Sequence, residues 1–212
     1  MEQVKRGCFD EIELDIDELV KTNIGDYFAL QDIRNRKLFL NDEINPDTVA
    51  DIARWIMQYN KDDKGLPADE RTPILLYIVS SGGYVSSGFE LIDLIHTSIT
   101  PVYTINLAYW YSMGFLVGIS GHKRFANKNA WFLMHDGSTC VYNSGSKVQD
   151  QMEFNKKVED RIREHVISHS NITEEEYADK LRVEWYMLSA EAKEKGFIDY
   201  IIGEDCTLDE VI

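Results

Sequence analysis

An α/β chain built on a parallel sheet is what the hydrophobic pattern predicts, and three observations predict it. Ile74-Leu75-Leu76-Tyr77-Ile78-Val79 is an unbroken apolar run, the mark of a strand buried on both faces of a parallel sheet. Apolar residues at helical spacing follow it (Phe89, Leu91, Ile92, Leu94, Ile95), and then a second strand, Pro101-Val102-Tyr103-Thr104-Ile105. Ser112 opens another apolar helix, to about Ile119, before two short strands at 123–126 and 130–135. The order β-α-β-α-β calls for right-handed crossovers.

The flanking elements read as follows. Residues 1–25 are acidic and weakly patterned: a short strand, a turn, or an arm that orders on contact. Tyr27, Phe28, Leu30, Ile33 and Lys37-Leu38-Phe39-Leu40 predict a strand ending in Asn41-Asp42. Asn45-Pro46-Asp47 starts a helix whose apolar face is Val49, Ile52, Ala53, Ile56 and Met57. Residues 60–72 form a polar loop. A long charged helix spans about 146–169, with Val148, Met152, Val158, Ile162 and Val166 along one seam. Thr173-Glu174-Glu175-Glu176 caps a short helix. Ser189 opens the last helix, Gly196 ends it, and 197–202 closes as a strand.

Bulk composition narrows the function. The 212 residues are 44% hydrophobic and 28% charged, as in a soluble globular domain. Lys and Arg number 22 against 37 Asp and Glu, a net charge of −15, which argues against nucleic acid as partner. Cys8, Cys140 and Cys206 are few and far apart, which suits a reducing cytoplasm. Cysteines and histidines show no metal-ligand spacing, so neither metal nor cofactor is expected. The most apolar stretch, 105–119, is broken by Asn106, Ser112, Gly114 and Gly118, so no membrane span is expected.

Three features carry chemistry. Ser112-Met113-Gly114 joins a strand to an apolar helix; a serine there is a helix N-cap or a nucleophile beside N–H groups that favour an oxyanion. Gly82-Gly83, directly after a buried strand, makes a tight turn or lets a ligand approach the backbone. His135, at the end of an apolar strand, is a structural histidine or one facing the crevice of the sheet. His96, His122, His165 and His169 lie outside such a context and are not expected to be catalytic.

Order and context raise the weight of all three. Ile78-Val79-Ser80-Ser81-Gly82-Gly83-Tyr84 resembles the strand–Gly-Gly–helix element of the Clp protease proteolytic subunit family, with Ser81 where that family usually has Pro. Tyr111-Ser112-Met113-Gly114-Phe115-Leu116 resembles its nucleophile segment. Lys123-Arg124-Phe125-Ala126 through Met134-His135 is similar to the strand leading to its catalytic histidine, and Leu188-Ser189-Ala190-Glu191-Ala192 with Gly196-Phe197-Ile198-Asp199 to its closing helix and strand. The resemblance covers about residues 30–203.

It implies a ClpP/crotonase-like fold of β-α-β repeats with a projecting handle helix at about 146–169. The peptidase domain would be 26–203, between an N-terminal arm or pore loop (1–25) and a C-terminal tail (204–212). It implies a serine endopeptidase in which Ser112 attacks the peptide carbonyl and His135 is the base. The N–H groups of Gly83 and Met113 would form the oxyanion hole. In the family, seven subunits form a ring, rings pair into a chamber that encloses the sites, and an ATP-driven AAA+ unfoldase docks on the ring. The implied partners are a polypeptide substrate, copies of this chain in a heptameric or tetradecameric ring, and that unfoldase. Two departures stand out. Trp185 falls where the family has its Asp, which leaves Glu184 as the assigned acid and Asp136 and Asp179 as weaker substitutes. Tyr109-Trp110-Tyr111 replaces the small residues usual before the serine. Both departures keep open a non-catalytic ring subunit of the same fold. A crotonase-type acyl-thioester enzyme shares the fold but predicts no Ser-His pair.

Overall fold

The computed structural model describes residues 24–137 and 140–211. Its centre is the apolar run: Ile74–Ser80 forms β2, buried at every residue but Val79. Such a strand needs partners on both edges. β1 (Lys37–Leu40) and β3 (Val102–Tyr111) supply them, both parallel to β2. β4 (Lys123–Asn127) and β7 (Tyr200–Ile202) complete a parallel path β1-β2-β3-β4-β7. β5 (Trp131–Met134) leaves that path; it pairs parallel with the end of β3 and antiparallel with β6 (Trp185–Leu188). The long β3 thus serves two neighbours, β4 along Tyr103–Asn106 and β5 along Tyr109–Tyr111.

Seven α-helices surround the sheet among the described residues: α1 (Ile24–Arg34), α2 (Pro46–Asp62), α3 (Val85–Thr97), α4 (Met113–Gly118), α5 (Ser146–Ser168), α6 (Glu174–Lys180) and α7 (Ser189–Glu194). α2 starts as the sequence predicts. Asn45 accepts from the N–H groups of Asp47 and Thr48, and Thr48 returns the bond as a capping box. Its face of Val49, Ile52, Ala53, Ile56 and Tyr59 packs into the main core, while Met57 points outward. The opposite sheet face carries a smaller cluster of Leu75, Tyr77, Ile105 and Phe125, closed by Val211 from the C-terminal segment. Mixed α/β architecture with a largely parallel sheet is therefore the fold of this chain, as its sequence implies.

Four details depart from the sequence reading. Residues 24–34 form a helix, not a strand, so β1 is confined to 37–40. Tyr27, Leu30 and Ile33 recur every third residue, and Asp26 and Arg34 sit at the ends that suit a helix dipole. β3 runs six residues beyond Ile105, to Tyr111, because β5 offers its end a second partner. β6, a short edge strand at Trp185–Leu188, carries no strand signal in its own sequence. The last strand is limited to 200–202, with Phe197 and Ile198 buried just before it. The arm expected over 1–25 lies outside the described residues, apart from Ile24 and Gly25 in α1.

Candidate active site

β3 ends at Tyr111 and α4 begins at Met113, so Ser112 alone makes the turn. Its backbone adopts φ 53° and ψ −122°, a strained conformation costing about 1–3 kcal/mol that persists only when its surroundings impose it. They do so here. The Ser112 N–H donates to the Leu133 carbonyl on β5 (3.0 Å), and the Ser112 carbonyl accepts from the N–H groups of Phe115 and Leu116. His135 follows β5 directly. Because β5 lies in parallel register with the end of β3, Tyr111 opposite Leu133, the histidine emerges beside the serine. Its Nε2 lies 2.8 Å from Ser112 Oγ.

The turn after β2 closes the other side. Gly82 has φ +101°, and a Cβ there would fall 2.8 Å from the Ser112 Cβ and 2.9 Å from the Met113 nitrogen. Gly83 is bracketed by Ile44, whose N–H donates to the Gly82 carbonyl and whose carbonyl accepts from the Tyr84 N–H. Among the described residues, neither the Gly83 N–H nor the Met113 N–H finds an acceptor. The Met113 N–H opens α4, where an intrahelical partner does not exist. Two free backbone donors thus belong to the residues that follow Gly82 and Ser112, which are themselves in close approach.

The acid is placed differently from the serine and histidine. β5 and β6 pair antiparallel with Met134 opposite Trp185, and His135 and Glu184 are the next residues beyond that last pair. Trp185 itself is buried and donates its indole N–H to Glu191 (2.9 Å). The Glu184 carboxylate accepts from the Tyr186 hydroxyl (3.1 Å), and no hydrogen bond joins it to His135. Asp136 and Asp179 are exposed. That hydrogen bond, first, raises the Tyr186 hydroxyl pKa, with slight desolvation adding to it.

The aromatic run divides by strand alternation. Trp110 is fully buried against Phe132 and over Gly118, where a Cβ would meet its ring. Tyr109 and Tyr111 point to the other face, 4.9 Å apart, with Tyr186 edge-on to Tyr111 at 6.1 Å. Desolvation pushes the Tyr111 hydroxyl pKa up. Tyr186 was not expected near the site; only β5–β6 pairing, absent from any local pattern, brings it there. No helix among the described residues is long and apolar enough to cross a membrane.

Comparison with known proteins identifies the family. The family model for Clp protease matches residues 26–205. The ATP-dependent Clp protease proteolytic subunit 1 of Streptomyces avermitilis is 30% identical over 197 residues, covering 90% of this chain and 84% of the relative. Proteolytic subunit 2 of Rhodococcus jostii is 28% identical over 185 residues (85% and 91%), and that of Treponema pallidum 24% over 178 residues (83% and 86%). With a strained serine in contact with a histidine on the matching segments, and a family match over most of its length, this chain belongs to the Clp protease family.

Proposed function

We propose that the chain is a serine endopeptidase that cuts unfolded polypeptides or short peptides. The observation that carries this reading is the 2.8 Å contact between His135 Nε2 and Ser112 Oγ at a strained strand–helix turn. His135 accepts the Ser112 proton as Oγ attacks the peptide carbonyl, then delivers it to the leaving amine. Water repeats the sequence to release the acyl group. The N–H groups of Gly83 and Met113 hold the oxyanion of each tetrahedral intermediate. Glu184 is the assigned acid: a turn of its side chain from Tyr186 to the imidazole Nδ1–H would fix the tautomer and stabilise the imidazolium.

The reading extends to the assembly. Copies of the chain form a heptameric or tetradecameric ring that encloses the sites, in the cytoplasm, with an AAA+ unfoldase delivering substrate. The names of the relatives, which specify ATP dependence, support such a partner.

A fluorophosphonate probe tests the core of this proposal, because it reports an activated serine whatever the substrate. Intact mass should show one label per chain, absent in Ser112→Ala and His135→Ala. A folded, assembled wild type that stays unlabelled, also with an activating unfoldase present, would instead establish the second reading, a non-catalytic ring subunit. Trp185 at the position of the family's Asp, and Glu184 held by Tyr186, favour that second reading.

A further inference from the structure

Far along α4 from Ser112, three imidazoles meet. His96 lies in the last turn of α3, His165 in the last turn of α5, and His169 caps α5. One ligand-capable atom from each lies within 4.8 Å of the others. The rings are packed: His96 and His169 stack at 4.9 Å and 2°, and His165 sits 4.3 Å from His169. Asp93, Arg161 and Glu164 line the same cleft.

Hydrogen bonds assign the free nitrogens. Ser120 Oγ donates to the Leu116 carbonyl (2.8 Å), so its own lone pair faces His165 Nε2 at 3.1 Å. The Leu116 carbonyl lies 3.0 Å from the same nitrogen. Both neighbours of Nε2 are acceptors, so Nε2 carries the proton and Nδ1 keeps the lone pair. The same logic holds for His169. Ser168 Oγ donates to the His165 carbonyl (3.0 Å), and both oxygens lie within 3.0 Å of His169 Nδ1. Nδ1 is therefore the donor and Nε2 the free base. A histidine whose second nitrogen donates to a backbone carbonyl is the form in which metal-ligating imidazoles occur. His96 has no hydrogen bond among the described residues, so either of its nitrogens is available.

We propose that His96, His165 and His169 form a binding site for a transition-metal ion, Zn²⁺ by preference, at the junction of α3, α4 and α5. Three neutral nitrogen donors select a borderline cation over Mg²⁺ or Ca²⁺, which need oxygen ligands. Tetrahedral coordination asks for nitrogens about 3.4 Å apart. Closing the observed separation of up to 4.8 Å to that spacing asks for rotation of exposed His96 and for a shift of half-buried His169 that keeps its Nδ1 bonds, with His165 held in place. Water, Asp93 or Glu164 fills the fourth position. The exposed Arg161 opposes the ion's charge but sits on a long side chain free to turn to solvent. Bound metal would fasten the last turn of α5 to the last turn of α3.

The experiment uses the full chain without any polyhistidine tag, stripped by chelator and titrated with Zn²⁺ or Co²⁺ alone. The expected result is one ion per chain by calorimetry, a tetrahedral Co²⁺ absorption band displaced by Zn²⁺, and a raised melting temperature. His96→Gln and His169→Gln should each weaken binding about tenfold or more. Ser120→Ala should weaken it less, while Ca²⁺ should not bind. Fluorophosphonate labelling of metal-free His96→Gln should match metal-free wild type, which shows that the variant folds. Absent binding to wild type, or Co²⁺ affinity kept in the His96→Gln, His169→Gln double variant, overturns the proposal.

Discussion

Ser112 and His135 were readable because each sits at a seam of the local pattern, where a strand gives way to a helix or ends in polar residues. Their contact needed β5 to lie beside the end of β3, which no local pattern states. Gly82 packs tightly against the serine. Gly82→Ala would place a Cβ against the Ser112 Cβ and the Met113 nitrogen, at a φ that L side chains rarely adopt. We expect a loss of about 1–3 kcal/mol in a urea melt and a slower labelling rate at Ser112. Labelling at the wild-type rate would show that the turn does not set the nucleophile. Glu184 gives a second test. If it orients His135, Glu184→Gln slows labelling tenfold or more, and Tyr186→Phe, which frees the carboxylate, does not slow it. A slowed Tyr186→Phe with an unaffected Glu184→Gln would assign the role to the tyrosine.

Among the elements, the junction of α1, β1 and α2 shows what holds an irregular connection. Arg36, at φ 57°, turns α1 into β1 and grips Asp63, the C-cap of α2, with two hydrogen bonds of 2.6 and 2.7 Å. Thr100 donates a third to the same carboxylate (2.9 Å). Burial alone would raise the Asp63 pKa, but the Arg36 fork and the Thr100 hydroxyl outweigh it and hold the carboxyl below its ordinary value. A depressed folded pKa means that the unfolded chain takes up the proton first. The contribution is therefore complete above about pH 4, the ordinary carboxylate value, and is lost as pH falls through the lower folded value. Asp63→Asn should cost about 3 kcal/mol at neutral pH, because it removes the carboxylate bonded to a largely buried guanidinium. Its deficit against wild type should shrink in urea melts run below about pH 4. A deficit constant down to pH 3 would locate the effect in packing, not charge.

Among the described residues, α5 is the longest helix and buries little of its surface. Its buried side chains are His165 and Val166, both in its last turn, while Met152 and Phe154 stand about 60% exposed. A helix of 23 residues tied down at one end is built to meet another surface. If that surface is the facing ring, Met152→Glu with Phe154→Glu should shift sedimentation from paired to single rings while the chain keeps its secondary structure by circular dichroism. Unchanged sedimentation would place the ring contact elsewhere.

Sequence alone was enough for the alternation of strands and helices from β2 to β5 and for singling out Ser112, Gly82-Gly83 and His135, since each rests on neighbouring residues and a fixed period. It misread 24–34, where aromatic and aliphatic side chains suit either period, and passed over β6, a short edge strand recognisable only by its partner. The contact of Tyr186 with Tyr111, and that of His96 with His165 and His169, were beyond it for the same reason. Residues far apart in the chain become neighbours through sheet register and helix packing, and hydrogen bonds then fix which ring nitrogen is free.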